Sequence, residues 1–408
     1  MSGMGPLGGA GGAGGAGGAG FLGGAGGAGG AGGAGGAGGA GGAGVTRWYG
    51  GYGTPLVTDA LIKHRDGIVS TWVPSPYAAQ LNLEDLANLE RWEPWVRGAV
   101  FDFELVSNLY FTRHTDPWPN AANPSDCFTL WHWDVGGAVA APSASAQRIA
   151  TFIRPGIAIF QAQLDLVDGY ADLREDRASE ILAQLGPGVA FWSSVVHLHP
   201  DRHKWTLELL DTALRLANFA EMRFKQALAC RRPIDFSPQI QPLILTPGHG
   251  SLPSGHATEA HLVASILLTL YGGVGANLGT LYAEQLLHQA GRIAANRTVA
   301  GVHFPVDSAA GEMLGLTLAD YLLCRCAPLT TGGSSPLSLT SWRFLGPAYA
   351  PTDDFDNRKL FDTTSGTRAA TATLPPFVDI PPTGSPIPPV AASPILNWLW
   401  AKASGEWN

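Results

Sequence analysis

Three short segments of the chain, within residues 225–307, carry the residue types that proteins use to hold a tetrahedral oxyanion. The first segment places Lys225 seven positions before Arg232, so that two helical turns bring both side chains to one face. An ammonium supplies a point charge, and a guanidinium supplies a planar fork that fits two oxygens. On its own the pair is also typical of a solvated helix face, so its meaning depends on the other two segments.

The second segment, Pro253-Ser254-Gly255-His256, predicts the start of a helix. Free amides and the positive end of the helix dipole lie there, and both favour an anion. Gly255 lets an oxyanion approach the backbone closely. The Ser254 hydroxyl has two possible roles, which are to contact the anion or to cap the helix. His256 is a candidate acid–base group beside the anion.

The third segment contains Arg297, His303 six positions later and Asp307 four positions after that. Arg297 ends one predicted helix and His303 precedes the next, while Gly301 permits the turn between them. Asp307 lies in the first turn of the last helix. From there its carboxylate can orient His303 or organise the surrounding charges. Each segment alone is a weak signal, and their conjunction in fixed order is a strong one.

Together the segments resemble the superfamily of vanadium-dependent haloperoxidases and type-2 phosphatidic acid phosphatases, which includes soluble acid phosphatases. The usual signature of that superfamily is Lys-x6-Arg-Pro, Pro-Ser-Gly-His and Ser-Arg-x5-His-x3-Asp. This chain matches it except at Asn296, which stands where Ser is usual and can also hydrogen-bond. The resemblance is close over residues 225–307 and extends in fold to about 190–325.

The resemblance implies a role for each matching residue. Cationic side chains would neutralise the oxygens of vanadate or phosphate, and a hydroxyl and an amide would hydrogen-bond the same anion. His303 would be the axial partner, either as the ligand to vanadium or as the nucleophile that forms a phosphohistidine. His256 would be the opposite acid–base group. The cationic and hydrogen-bonding residues are Lys225, Arg232, Arg297, Ser254 and Gly255.

The shared signature does not separate an oxidase from a phosphatase, because a site complementary to a trigonal-bipyramidal phosphoryl group also binds vanadate. His249, seven positions before His256, favours the oxidase. Bromide-oxidising haloperoxidases are similar in having a histidine at that offset, although the residue can also be a loop histidine without a role. We therefore expect a haloperoxidase that oxidises bromide or iodide with hydrogen peroxide. The alternative is an acid phosphatase or phosphotransferase acting on a small organic phosphate.

Helical patterns must position these groups, and they predict a mainly α fold with a helical bundle. Irregular Trp- and Pro-rich loops lie between the patterns, and Pro94 is predicted to end the first helix. A short strand is predicted at Ile240–Leu245, and Asp201 is a candidate N-cap for the longest helix. The predicted helices are Leu81–Trp92, Asp172–Leu185, 201–230, 255–271, 277–297, 306–325 and Ile395–Lys402.

Composition divides the chain into three parts. Residues 1–44 are a Gly-Gly-Ala repeat, which is either a flexible linker or an extended threefold helix that drives assembly. Residues 45–330 are predicted to form the catalytic domain, with its core at 190–325. Residues 331–408 form a Pro-rich segment that wraps this domain. A structural protein working through the repeat is the third functional hypothesis, and a homo-oligomer is expected.

The net charge of -8 excludes a basic field for nucleic acid. The longest apolar run, 262–275, is too short to span a bilayer, and no secretory signal is evident, so we expect a cytoplasmic protein without membrane insertion. The four cysteines do not form a paired framework, which is typical of a reducing compartment. His197, His199 and His203 can form a zinc site only if a fourth ligand completes it.

Overall fold

The N-terminal half of the described chain combines short helices with a small sheet. The computed structural model describes residues 55–71, 73, 81–113, 127–133, 146–186, 188–272, 279–327, 339–362, 367–369, 373–380 and 390–407. The Gly-Gly-Ala repeat of residues 1–44, with its predicted assembly role, lies outside these ranges. The first elements are α1 (Pro55–Ile68), α2 (Pro94–Val106), β1 (Leu109–Arg113), β2 (Cys127–Trp133) and β3 (Ala146–Ile153).

Four short helices lead from the sheet to a bundle of long helices, and the bundle carries all three motif segments. The short helices are α3 (Ile157–Ala162), α4 (Leu164–Tyr170), α5 (Arg174–Ala183) and α6 (Val189–Val196). The bundle and the helices that flank it are α7 (Lys204–Leu228), α8 (Pro233–Phe236), α9 (Gly255–Gly272), α10 (Gly279–Val299), α11 (Pro305–Cys326) and α12 (Pro394–Ser404).

Helix α9 lies at the centre of the bundle, between α7, α10 and α11. Its contact with α11 is close because α11 presents glycines to it. A Cβ on Gly311 would lie 2.5 Å from the carbonyl oxygen of Ser254, and a Cβ on Gly315 would lie 2.3 Å from that of Thr258. Two side-chain-free positions one turn apart thus allow α11 to approach the start of α9, where the second motif segment lies.

The ends of α7 and α11 have different capping groups. Pro305 occupies the first position of α11, where its missing amide costs nothing, and the Asp307 carboxylate accepts from the Phe304 amide at 2.9 Å. The amides of Trp205 and Thr206 at the start of α7 donate to the Glu406 carboxylate, each at 2.8 Å. The prediction that Asp201 caps α7 is therefore wrong, because the capping carboxylate belongs to Glu406, near the other end of the chain.

The sheet has the strand order β1-β2-β3-β4-β7, and β4 (Trp342–Leu345) pairs in parallel with β3. The strands β5 (Phe361–Asp362) and β6 (Thr367–Arg368) form a separate ladder, and β7 (Val378–Asp379) pairs antiparallel with β4. Phe152 on β3 packs against Phe224 on α7 with ring centroids 4.4 Å apart. This contact joins the sheet to the helix that carries the first motif segment.

The mainly α fold predicted from the sequence is confirmed, and the long bundle helices lie close to their predicted limits. Three further local predictions are wrong. Arg232 does not share a helix face with Lys225, because α7 ends at Leu228 and Arg232 lies at the N-cap of α8. Pro94 begins α2 instead of ending a helix, since proline fits the first turn, and only Leu86–Arg91 before it is helical, as a 3₁₀ turn. No strand forms at Ile240–Leu245, where Pro238–Ile240 is instead a 3₁₀ turn.

Within the ranges that the structure describes, none of the helices combines the length and the apolar character needed to cross a membrane.

Candidate active site

The start of α9 and the end of α10 contribute polar groups that have no partner among the described residues. They are the Ser254 hydroxyl and the Nε and Nη1 atoms of Arg297. Both side chains are buried. The main chain of Ser254 is held, because its amide donates to the carbonyl of Asp307 at 2.9 Å. Unpaired buried donors are costly, so these atoms mark a place built for an acceptor from outside the chain.

His303 is oriented by a hydrogen bond at each ring nitrogen. Its Nδ1 lies 3.1 Å from Oδ2 of Asp307, and its Nε2 lies 2.9 Å from Nη1 of Arg232. The Ser251 hydroxyl also donates to the same Asp307 oxygen. Because a guanidinium only donates, Nε2 carries the lone pair and Nδ1 carries the proton. The third motif segment therefore presents Nε2 towards a cationic group.

Arg232 joins His303 to His249. Its Nη2 lies 3.1 Å from Nδ1 of His249, which also lies 3.2 Å from the carbonyl oxygen of Gly250. Its Nε and Nη1 donate to the carbonyls of His249 and Val302 at 3.1 and 2.7 Å. Burial, followed by the charges of Lys225 and Arg232, lowers the pKa of His249 to about 4. The guanidinium of Arg232 thus lies between His303 and the neutral imidazole of His249.

Lys225 is buried beneath the segment that leads into α9. Its ammonium donates to the carbonyl of Ser251 at 3.2 Å, to that of Gly250 at 3.4 Å and to that of Pro253. Gly250 is required for this approach, since a Cβ there would lie 2.7 Å from the carbonyl oxygen of Lys225. The lysine therefore shapes the loop that carries the serine, and it makes no direct bond to Ser254.

His256 faces α5 and not the solvent. Its Nε2 donates to the carbonyl oxygen of Gln184 at 3.1 Å, which leaves the lone pair at Nδ1. Burial, together with the charge of Arg297, holds the pKa of His256 well below its usual value. Burial and the charge of Arg232 do the same for His303. Both imidazoles are thus neutral at neutral pH, and each has one basic nitrogen.

Asn296 binds α5 and does not point to the unpaired donors. Its Nδ2 donates to Oε1 of Glu180 at 2.9 Å and to Oε1 of Gln184 at 3.1 Å, and its Oδ1 accepts from Arg177 at 2.9 Å. The residue that departs from the signature therefore tethers α10 to α5. It lies beside the candidate oxyanion site as a support for its neighbour Arg297.

Two further acidic residues lie behind Lys225. Neither oxygen of buried Glu221 has a hydrogen-bond partner among the described residues, and the same is true of Oε1 of Glu259. Burial raises the pKa of both carboxyl groups, and the same burial lowers the pKa of Lys225. Glu221 lies one helical turn before Lys225, and this i,i+4 spacing is the signal in the sequence that pairs the two residues.

The arrangement has the properties of an oxyanion site that can exchange protons. Arg297 and Ser254 offer unpaired donors, and Gly255 begins α9, whose first amides have no partner within the helix. His303 and His256 add two neutral imidazoles. Such a set can bind a tetrahedral anion, supply a nucleophilic or ligating nitrogen and move a proton. By contrast, no cluster of His, Cys, Asp or Glu within the described ranges could hold a metal ion, His197, His199 and His203 included.

Comparison with known proteins shows what part of the bundle is similar to. Residues 209–327 match the model of the PAP2 superfamily. A solved structure from Bacillus subtilis, described as the first transmembrane PAP2 type phosphatidylglycerolphosphate phosphatase, is 21% identical to this chain. The alignment covers 40% of this chain and 79% of that phosphatase, with a TM-score of 0.27. No curated protein matches. Residues 209–327 are therefore similar to the PAP2 superfamily, which includes phosphatases and haloperoxidase-like enzymes.

Proposed function

We propose that this protein is a vanadate-dependent haloperoxidase, which oxidises bromide or iodide with hydrogen peroxide to hypohalous acid. The observation that carries the proposal is the contact of His249 with the oxyanion site through Arg232, whose Nη1 and Nη2 reach His303 and His249 at 2.9 and 3.1 Å. A loop histidine without a role would not need that connection. His249 would supply a second imidazole near the anion, as the histidine at the same offset does in the bromide-oxidising haloperoxidases that this chain resembles.

The residues fit an oxyanion cofactor. Ser254 and Arg297 have unpaired donors, namely the Ser254 hydroxyl and Nε and Nη1 of Arg297, and an oxyanion offers acceptors to them. Arg232 and the start of α9 would add further positive potential, and Nε2 of His303 would be the ligating nitrogen. When bound, vanadate would supply a Lewis-acid centre that activates hydrogen peroxide towards halide.

The proton chemistry falls to His256. Its Nε2–H donates a hydrogen bond to the carbonyl oxygen of Gln184, so Nδ1 is the basic nitrogen. The lowered pKa of His256 keeps Nδ1 unprotonated at neutral pH. It would take a proton from incoming hydrogen peroxide and return one to the hypohalite that leaves. Asp307 would hold the ring of His303 in one tautomer, as it does here through Nδ1 at 3.1 Å.

Burial of the side chains also favours small reactants. The exposed fraction is 9% for His256, 4% for His303 and at most 3% for the three cationic side chains. Hydrogen peroxide and halide ions are small enough to enter such a site, whereas the alcohol part of an organic phosphate would need more space.

An acid phosphatase or phosphotransferase is the second candidate, and the geometry of His303 favours it. With Nδ1 bonded to Asp307, the basic lone pair lies on Nε2, where it accepts from Arg232. It would be the nucleophile that forms a phosphohistidine once a bound phosphoryl group takes up that guanidinium. The cationic residues would then stabilise the transferring phosphoryl group, and phosphate would be the resident ligand.

A pair of assays separates the two candidates. Bromination of a diketone by the purified protein, dependent on hydrogen peroxide, bromide and added orthovanadate, is the expected result. Hydrolysis of an aryl phosphate that vanadate inhibits would instead support the phosphatase. His303→Ala should abolish whichever activity is present, because Nε2 is the axial group in both. His288→Ala, which removes an exposed histidine on α10, serves as the control. Full turnover by His303→Ala would refute the assignment of the site.

A further inference from the structure

A glutamine outside the segment that matches the PAP2 superfamily contacts two of the motif residues. Gln184 follows the last residue of α5 and is 6% exposed. Its main-chain oxygen accepts from Nε2 of His256 at 3.1 Å, and its side-chain Oε1 accepts from Nη2 of Arg297 at 2.6 Å. Nothing in the signature of the superfamily includes this residue.

We propose that Gln184 is the positioning residue of the oxyanion site, aiming Arg297 at the anion and fixing the tautomer of His256. The inference rests on the oxyanion site proposed above. It does not depend on whether that site serves a haloperoxidase or a phosphatase.

The side chain of Gln184 orients Arg297 without neutralising it. The amide oxygen takes one N–H of Nη2, and Nε and Nη1 keep their donors unpaired. Elsewhere in the fold, buried arginines are held by carboxylates, as Arg97 is by Glu208 at 2.5 and 2.6 Å. A carboxylate in the place of Gln184 would offset the charge that must attract the anion.

A second contact determines which end of the Gln184 amide faces Arg297. Nε2 of Gln184 donates to Oε1 of Glu180 at 3.1 Å, so Oε1 of the amide is turned towards the guanidinium. Glu180 is itself held by Arg292 at 2.6 Å. The Glu180 carboxylate thus contacts Gln184 and not Arg297, so it orients the amide without offsetting the charge of the guanidinium.

The main chain of Gln184 acts on His256 independently of its side chain. A carbonyl oxygen can only accept, so its contact with Nε2 requires the proton there and leaves the basic lone pair at Nδ1. Helix α5 holds this carbonyl in place, because Arg174 at its start donates to the carbonyls of Val299, Ile240 and Gln241 at 2.9, 2.9 and 2.8 Å.

The test measures binding of inorganic phosphate, and separately of orthovanadate, to the full chain by titration calorimetry. Gln184→Leu keeps the main-chain carbonyl but removes the contact with Arg297. We expect the affinity for both anions to fall by about tenfold or more, because an Arg297 side chain that is no longer held in place would lose about one charge-assisted hydrogen bond to the anion. The control is Gln147→Leu, which replaces another buried glutamine and should leave both affinities unchanged.

Gln184→Glu tests whether Gln184 acts through Arg297 or only supports the fold, because only the first role makes phosphate affinity depend on the charge at position 184. The introduced carboxylate keeps an acceptor on Arg297 but offsets its charge, so phosphate affinity relative to the parent should be low at pH 8. It should recover as the pH falls towards about 4, where the carboxylate takes up a proton. This ratio also decides the matter if Gln184→Leu does not fold.

Affinities within twofold of the parent for Gln184→Leu, or a ratio for Gln184→Glu that does not change with pH, would overturn the inference. A parent protein that binds both anions but brominates nothing would instead contradict the haloperoxidase proposal and leave the role of Gln184 intact.

Discussion

Replacing Ser254 by alanine should have opposite effects on folding and on anion binding. Its hydroxyl is fully buried and has no partner among the described residues, and an unpaired buried hydroxyl costs about 1–3 kcal/mol. Removing it in phosphate-free buffer should therefore leave the free energy of unfolding unchanged or raise it by about 1 kcal/mol. Phosphate should bind at least about tenfold more weakly, because a hydrogen bond to a charged group contributes about 1.5–3 kcal/mol.

These two effects predict that the order of stability reverses when phosphate is added. At a phosphate concentration of about 100 times its Kd, the parent gains about 2.7 kcal/mol, whereas a variant that binds tenfold more weakly gains about 1.4 kcal/mol. Urea denaturation with and without phosphate measures both, and calorimetry gives the affinities.

Ser265→Ala is the matched control for this experiment. Ser265 lies on the same helix α9, and its hydroxyl donates to the carbonyl of His261 at 2.8 Å. Its loss should lower stability slightly and leave phosphate affinity unchanged. If Ser254→Ala instead destabilised the protein by more than about 1 kcal/mol with unaltered phosphate binding, the hydroxyl would be a structural group and our interpretation of the unpaired donors would fail.

Three other predictions concern the bundle, its acid stability and the halide. Gly315→Ala should lower stability by about 1–3 kcal/mol and weaken phosphate binding, because the new Cβ would meet the Thr258 carbonyl at 2.3 Å; in Gly169→Ala, where nothing lies within 4 Å, denaturation should show no loss. Burial lowers the pKa of His261 to about 4, so the unfolded chain binds the extra proton between about pH 6.5 and 4, and stability falls as the pH falls through that window. His261→Gln should reduce this slope by about 1.4 kcal/mol per pH unit, measured by denaturation at several pH values, and an unchanged slope would contradict the assignment. His249→Ala should change the ratio of bromide to chloride turnover more than the affinity for vanadate, and identical halide kinetics would remove this residue from the site.

The bundle could be predicted from sequence because its information is local. Apolar periodicity, Pro305 at a first helical position and Gly301, which adopts a φ of 77°, each specify structure over a few residues. The sheet was missed for the opposite reason. Its parallel pairing of β3 with β4 joins segments that lie far apart in the chain, and neither has a strong alternating pattern. Pro94 shows a related limit, since proline both ends and begins helices.

The candidate site divides in the same way. The signature predicted that residues from three segments meet, and the contacts of Arg232 with His303, and of Ser254 with Asp307, agree with that expectation. The signature did not contain Gln184, because its role depends on how α5 packs across the end of α10. Nor did it predict that Lys225 binds main-chain carbonyls, since no pattern specifies the path of a loop.

The partners of the three cationic residues explain why an anion should complete this site. Lys225 is bonded to carbonyls, Arg232 to carbonyls and imidazoles, and Arg297 to a carbonyl and an amide oxygen. Side chains of the other buried arginines reach carboxylates, as in the pair of Arg343 with Asp379 at 2.5 Å.

Within the described residues, the fold thus neutralises its structural arginines by direct contact and leaves these three cations without such a contact. Removing a charge from water without a paired ion is unfavourable, and neutral acceptors recover only part of that cost. A bound oxyanion would supply the missing counter-charge and the missing acceptors together. Its binding free energy would then include relief of this unfavourable burial, which is why the anion should contribute both to the chemistry of the site and to the stability of the bundle.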